Sequence, residues 1–207
     1  MARSRADDRA SRQRLAHGFD VKLRDTMLAE DRVLIWKSKR GDRRAFDRIY
    51  HKHLDTMLSV AVSLLGDRSE AEDVVQDVFV KLIETLDQFQ LRGSLKAFLA
   101  TCVANRARDQ LRRKKSKDRA GAALQESLGR ATEPLQRAML SEDVWRVHSA
   151  LSQLSYEQKE VVTLKIHGGL SFRALAQQLE LPLGTVQGRY RYGLDRLRSL
   201  LNGEVEK

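Results

Sequence analysis

Between Arg43 and Leu65 the apolar residues recur at steps of three and four. Phe46, Ile49, Tyr50, Leu54, Met57, Leu58, Ala61, Leu64 and Leu65 all fall on one stripe. That spacing is the period of an amphipathic helix, and it recurs along most of the chain. Gly66 stops this helix, and either Asp67 or Ser69, each with a Glu three residues on, can cap the next. The third helix is predicted to run to about Leu86, with Val74, Val75, Val78, Phe79, Leu82, Ile83 and Leu86 as its apolar face. "RGS" at 92–94 reads as a turn with Ser94 as N-cap. A fourth helix then buries Leu95, Phe98, Leu99, Cys102, Val103, Ala107 and Leu111. Ahead of all three, "DRVLIWKSKR" makes a short helix whose apolar content is Val33, Leu34 and Trp36. Gly41 ends it, and Asp42 caps the helix that begins at Arg43. Four helices with short connections predict an antiparallel bundle over residues 29–115.

The pattern then breaks. From Arg106 to Arg119 there are eight Lys or Arg against two Asp, and beyond Lys115 the apolar period is gone. Residues 116–139 read as a flexible linker, too long for a loop inside one compact domain. A second helical block is expected over residues 140–202. Val144, Trp145, Val147, His148, Leu151 and Leu154 build its first helix. Ser155 with Gln158 forms a capping box for the next, through Val161, Val162, Leu164 and Ile166, until Gly168 and Gly169 break it. Ser171 caps "FRALAQQLE", and a short joint leads to "LGTVQGRYRYGLDRLRSLL", whose inward set is Val186, Tyr190, Gly193, Leu194, Leu197 and Leu201. Two short helices with a tight joint, the second rich in Arg, read as a helix-turn-helix. The fold class is therefore all-α, two small helical domains joined by a flexible linker. Residues 1–28 carry scattered Arg and Asp without an apolar period, and are expected to form a disordered basic arm.

The formal net charge of +10 points to a polyanionic partner, with nucleic acid first. No apolar run approaches the ~20 residues of a membrane span, so no membrane insertion is expected. The polar N-terminus lacks the apolar core of a secretory signal, and the one cysteine, Cys102, cannot form an internal disulfide. Both observations predict a cytoplasmic protein. Against this basic background, Glu70, Glu72, Asp73 and Asp77 crowd into eight residues of the third helix. Glu72, Asp73, Gln76, Asp77 and Val80 share its outward face. Carboxylates early in a helix favour its dipole, which accounts for Glu70 and Glu72 but not for Asp77.

Four stretches appear in order: "GDRRAFDRIYHKH", "LLGDRSEAEDVVQDVFVKL", "GSLKAFLATCVANRARDQLRRKK" and "ALSQLSYEQKEVVTLKIHGGLSFRALAQQLELPLGTVQGRYRYGLDRLRSLL". Together they resemble regions 2 and 4 of a sigma-70 family factor of the extracytoplasmic-function type, over about Asp31 to Lys115 and Leu140 to Leu201. The resemblance implies a factor without catalytic activity or cofactor. It binds core RNA polymerase, at the clamp coiled coil and the flap, and directs transcription initiation at promoter DNA. The family often adds an anti-sigma protein as a further partner. The resemblance assigns Glu72, Asp73, Gln76, Asp77 and Val80 to polymerase docking. It assigns Asn105, Arg106, Asp109, Arg112 and Arg113 to minus-10 DNA, with Asn105 near an extruded base and 88–94 as a wall of that pocket. Minus-35 DNA falls to Thr185, Gln187, Gly188, Arg189, Arg191, Tyr192 and Arg196. Gln187 and Arg191 are placed to read base edges, and Arg189, Arg196 and Arg198 to hold phosphates.

The chain departs from the family pattern at several of these positions. Phe98 stands where Trp is frequent, which favours a strict promoter requirement. Gln187 and Gly188 replace a basic residue and Ser, Gly193 replaces Ala, and Glu180 occupies the usual turn glycine. The two helix glycines are expected to permit close approach to the DNA backbone. Other chemistry finds little support. Asp73 and Asp77 have no third metal ligand at a suitable spacing, and the histidines form no metal set. Cys102 reads as core, and no Ser-His-Asp set or phosphate loop emerges. A helix-turn-helix regulator acting without polymerase is the competing reading, and an enzyme built on the acidic helix a third. A simple regulator has no need of the acidic helix.

Overall fold

The computed structural model of the protein describes residues 29–120 and 142–203. The expected basic arm, most of the expected linker, and Leu140 and Ser141 lie outside the described residues. Helices account for nearly all regular structure, and the described residues contain no strand. The elements are α1 (29–39), α2 (Arg43–Leu65), α3 (Arg68–Glu84), a 3-10 turn (Leu86–Gln88), α4 (Leu95–Ala120), α5 (Glu142–Ser152), α6 (Tyr156–Ile166), α7 (Phe172–Gln178) and α8 (Leu183–Asn202). None of these helices is long and apolar enough to cross a membrane.

The chain divides into two compact units. One gathers residues up to Lys52 with Glu84–Leu95; the other gathers His53–Ile83 with Lys96 onward. In the first, Leu34, Ile35, Ala45, Ile49, Leu86 and Leu95 are buried. Asp42 caps α2 as expected, its Oδ1 accepting from the amides of Arg44 and Ala45 at 3.0 and 3.2 Å. The chain reaches that cap through Gly41 at φ +86°, a left-handed turn that favours glycine. Lys52 Nζ donates to Glu30 and Asp31 at 2.7 and 2.8 Å, and Arg48 to Glu30 at 2.9 Å, tying α1 to α2. Burial works against the Lys52 charge, but the two carboxylates outweigh it and raise its pKa. The expected apolar content of α1 needs correction. Leu34 and Ile35 are inside, whereas Val33 and Trp36 point to solvent.

In the second unit the core comprises Met57, Val60, Ala61 and Leu64 of α2, six residues of α3 from Ala71 to Leu82, and Leu99, Ala100, Val103, Ala104 and Ala107 of α4. The cap of α3 is Asp67, whose Oδ1 accepts from the Glu70 amide at 2.8 Å; Ser69 lies inside the helix. The helix ends at Glu84, and Leu86 is buried from the 3-10 turn instead. Ile83 and Phe98, expected inside, are exposed, as are Val147 and Ile166 in the C-terminal helices. The capping box of Ser155 and Gln158 is present, and Ser171 Oγ accepts from the Ala174 amide at 3.1 Å. The α7–α8 pair forms the expected helix-turn-helix. Phe172 and Tyr190 meet edge-to-face at 5.2 Å between ring centroids, and Val186 of α8 is fully buried. The turn between them holds Glu180 at φ +53°.

Candidate functional site

α3 turns two different faces outward and inward. Its period puts the valines, Phe79 and Leu82 inside, so Glu72, Asp73, Gln76, Asp77 and Val80 are left exposed. Val80 is half exposed, and Ile83, one turn on, equally so. The outward face is thus acidic at its start, and toward its end exposed Val80 and Ile83 stand among exposed Lys81 and Glu84. Ile83 was missed by sequence reasoning, which counted it among the core residues. The carboxylates are not equivalent. Glu72 pairs with Arg68 at 2.9 Å within the helix, whereas Asp77 crosses to α4 and takes Arg106 Nη2 at 2.5 Å. Glu70 also reaches α4, accepting from Lys114 Nζ at 2.9 Å and Gln110 Nε2 at 3.1 Å. Asp73 stands exposed and reaches no cation among the described residues.

On α4, Asn105, Asp109, Arg112 and Arg113 are exposed at one-turn steps, while Arg106 is engaged with Asp77. Asn105 Oδ1 receives a long contact from Arg108 Nη1 at 3.4 Å. Arg108 has a stronger partner. Its Nη2 lies 2.5 Å from Glu160 Oε1 of α6, a carboxylate only 4% exposed. Burial raises the pKa of Glu160, and Arg108 pulls it back down. Tyr156, whose phenol lies 3.4 Å from the same oxygen, has its own pKa raised by burial and by the Glu160 charge. Arg108, Arg112, Lys115, Tyr156 and Glu157 line a cleft of about 420 Å³ between α4 and α6. Neither Glu160 nor Arg108 was among the expected site residues. Glu160 sits one helical turn before buried Leu164, a spacing that places it on the inward face.

The exposed side of α8 carries Thr185, Gln187, Arg191, Tyr192 and Arg196, with Gly188 and Arg189 half-buried. The Arg191 guanidinium lies 5.0 Å from the centre of the Tyr192 ring, and Tyr192 is 59% exposed. Arg189 acts on two acids of α6 through its charge. The Glu157 pKa is lowered first by its helix-end backbone amide, then by Ser155 and by the Arg189 charge. The same charge opposes the rise that burial causes at Glu160. The two helix glycines have separate environments. A Cβ at Gly193 would sit 2.9 Å from Val162 Cγ2, so this glycine permits approach of α6 rather than of DNA. At Gly188 the nearest side-chain atom would be 4.0 Å away, leaving that surface open. Cys102 is half-buried, and burial raises its pKa, which keeps the thiol protonated and unreactive. The described residues hold no group of three or more His, Cys, Asp or Glu placed to bind a metal.

Known proteins share this organisation. The family Sigma-70 region 2 matches residues 49–117, and Sigma-70, region 4 matches residues 145–197. The RNA polymerase sigma-H factor of Pseudomonas aeruginosa is 30% identical over 169 residues, covering 77% of this chain and 88% of that protein. The ECF RNA polymerase sigma-E factor of Escherichia coli is 27% identical over 190 residues, covering 85% and 94%. Among solved structures, CnrH in complex with the cytosolic domain of CnrY aligns with a TM-score of 0.61 at 27% identity. It covers 85% of this chain and 99% of that one. The sigma factor RpoE in complex with the anti-sigma factor NepR from Bartonella quintana gives a TM-score of 0.62 at 26% identity, covering 78% and 98%.

Proposed function

Because the chain belongs to the sigma-70 family of RNA polymerase sigma factors, of the extracytoplasmic-function type, we propose that its charged faces divide the work of promoter-directed transcription initiation. Residues 29–115 act as the region 2 domain and 140–202 as the region 4 domain, joined by the segment 116–139. The outward face of α3 docks core polymerase through Glu72, Asp73, Gln76 and Val80, extended by Ile83. The exposed end of α4, with Asn105, Arg112 and Arg113, engages the minus-10 element. The exposed side of α8, with Gln187, Arg191 and Tyr192, enters the major groove at the minus-35 element. The protein works in the cytoplasm, where polymerase and DNA are, and catalyses no reaction of its own. The solved complexes of its relatives with CnrY and NepR support an anti-sigma partner here as well.

The observation that carries this reading is α3. A DNA-binding regulator gains nothing from a face of carboxylates, which repel phosphate, running into half-exposed Val80 and Ile83. A protein partner that is basic beside an apolar patch suits it. Asp73→Arg is the cleanest test, since Asp77→Arg would also break the tie to Arg106. We expect Asp73→Arg to lose core polymerase binding and transcription in vitro while duplex minus-35 DNA is bound as before. Unchanged polymerase affinity would sink the assignment.

A further inference from the structure

Beyond its first turn α8 carries two glycines, and packing within the chain accounts for one of them. Glycine weakens a helix, because it gives up the most backbone freedom on folding and brings no side chain to pack. At Gly193 a Cβ would press on Val162 Cγ2 at 2.9 Å, so the approach of α6 requires the bare backbone. At Gly188 nothing in the chain requires it. Its backbone is ordinary right-handed helix, so no positive φ calls for glycine. The atom that a Cβ would meet there is Tyr192 Cε2, one turn on, at an ordinary contact distance of 4.0 Å. Gly188 lies in the row Thr185, Gly188, Tyr192, Arg196, which steps by three and four along the outward side of α8. No large apolar side chain among the described residues is more exposed than Tyr192, at 59%. Arg191 fixes how that ring stands: its guanidinium lies over the ring, 5.0 Å from the centre, and its Nη2 lies 3.4 Å from the hydroxyl. The Cε2 edge is left facing the gap at Gly188. The result is a shallow notch, floored by backbone and walled by the edge of an aromatic ring. Outside the two chain neighbours of Gly188, no polar side-chain atom lies within 4 Å of where its Cβ would be.

The four bases differ in what they bring to such a notch. In the major groove they present hydrogen-bonding nitrogens and oxygens, and thymine alone adds a methyl group, at C5. A polar base edge pressed into the notch would lose its water and gain no hydrogen bond in return. A methyl group loses nothing there and buries apolar surface against the ring. We propose that, with α8 in the major groove as above, the notch between Gly188 and Tyr192 reads the C5 methyl group of a thymine in the minus-35 element; the choice of thymine rests on that placement. Gln187 and Arg191, with their amide and guanidinium, are left to the hydrogen-bonding edges of neighbouring bases.

In the test the full chain, assembled with core polymerase, is offered a duplex library randomised over the minus-35 segment. Each thymine of the enriched element, on either strand, is then replaced by deoxyuridine, which removes the methyl group alone. At one thymine or more, the wild type should bind the uracil duplex about fourfold more weakly. Tyr192→Ala and Gly188→Ala should bind the two duplexes alike, the first for want of the ring and the second because its Cβ fills the notch. Tyr192→Phe should keep the fourfold difference. Gly188→Ala should also melt no lower than the wild type by circular dichroism, which separates the notch from a structural role, and it carries the comparison if Tyr192→Ala binds too weakly to measure. Equal binding of thymine and uracil duplexes by the wild type at every position would overturn the proposal. So would a difference that survives in either alanine variant, or a loss in Tyr192→Phe that is the same on every duplex and so marks the hydroxyl as a phosphate contact. A library that enriches no sequence would refute the minus-35 reading and the thymine contact with it, whereas enrichment without a methyl effect removes the thymine contact alone.

Discussion

Replacing Arg108 with alanine asks whether the Glu160 carboxylate is held in place by charge. Glu160 Oε1 accepts from Arg108 Nη2 at 2.5 Å and, at a long 3.4 Å, from the Tyr156 phenol. The Arg108 side chain remains 43% exposed, so water shares its charge. Breaking a fully buried pair costs ~3–5 kcal/mol, and an exposed pair is worth ~0–1 kcal/mol. With one partner out of water and the other half in it, Arg108→Ala should cost ~1–2 kcal/mol near neutral pH. For a chain of this size that is a fall in Tm of about 2–8 °C. The sign of the pH dependence separates charge from packing. Burial raises the Glu160 pKa above the ordinary 4.5, and Arg108 opposes the rise. Without Arg108 the pKa climbs further. A carboxyl with a raised folded pKa binds a proton in the native state while the unfolded state does not, between 4.5 and the folded value. Stability therefore falls as pH rises through that window, and the penalty is complete above it. The deficit of Arg108→Ala should shrink as pH falls from about 7.5 toward about 5. Glu160→Gln should flatten this dependence, and in that background Arg108→Ala should cost under about 0.5 kcal/mol. Urea unfolding followed by circular dichroism at the two pH values measures all four corners of the cycle. An equal loss at both pH values, or an undiminished loss in the Glu160→Gln background, would mean that Arg108 contributes through its aliphatic stem and would refute the electrostatic account.

Other perturbations concern the backbone and α8. Gly193→Ala should destabilise the chain by ~1–3 kcal/mol, because its Cβ would meet Val162 Cγ2 at 2.9 Å. Gly188→Ala, with open space around it, should stabilise by ~0.5–1 kcal/mol. If thermal melts show both alanines acting alike, the packing account of Gly193 fails. Glu180→Gly should stabilise the turn by ~0.5–1 kcal/mol, since φ +53° is costly for a residue with a Cβ; a loss on chemical denaturation would show that the Glu180 side chain contributes more than the strain removes. Arg191→Ala should weaken minus-35 binding by ~1–3 kcal/mol and relax its sequence preference, read by competition between promoter and random duplex. Equal loss on both duplexes would leave Arg191 as a phosphate contact.

The helices were legible because their signals are local. Asp42, Ser155 and Ser171 cap within three residues of themselves, and α2 shows its stripe over six turns. The rotation of a short helix was not legible. Val33-Leu34-Ile35-Trp36 is an unbroken apolar run that sweeps most of the way round a helix, so periodicity cannot choose which pair goes inside. Ion pairs choose it: Lys52 and Arg48 of α2 anchor Glu30 and Asp31 on the inward side. Ile83 was misplaced for a related reason: adjacent pairs in α3 such as Val74 and Val75 both go inside, so the sequence pattern does not show that at Leu82–Ile83 only the first member does. The Arg108–Glu160 pair spans 52 positions, so although spacing turns Glu160 inward, nothing local links it to Arg108.

The pair Asp77–Arg106 bears on the function more directly than any of these. The family resemblance assigned the aspartate to polymerase docking and the arginine to minus-10 DNA, as though each awaited its own partner. Their contact at 2.5 Å pairs the two charges where α3 meets α4, with both side chains still about half exposed. What remains on α3 is Asp73 with Gln76, beside Glu72 and the apolar pair Val80 and Ile83. What remains on α4 is Asn105 with Arg112 and Arg113. An acidic face and a basic face on neighbouring helices would otherwise each weaken the field that the other presents to its own ligand. In the proposed division of labour, pairing at the boundary would keep a basic protein partner on one helix and phosphate on the other. Reversing both members of the pair (Asp77→Arg with Arg106→Asp) should therefore be tolerated, since it preserves a neutral boundary. Either reversal alone should impair polymerase docking and minus-10 binding together, because it places an uncompensated charge beside both faces. Reconstituted transcription and binding, measured on the wild type, the two single reversals and the double, decide it. Independent, additive defects in the single and double reversals would show that Asp77 and Arg106 serve separate partners after all.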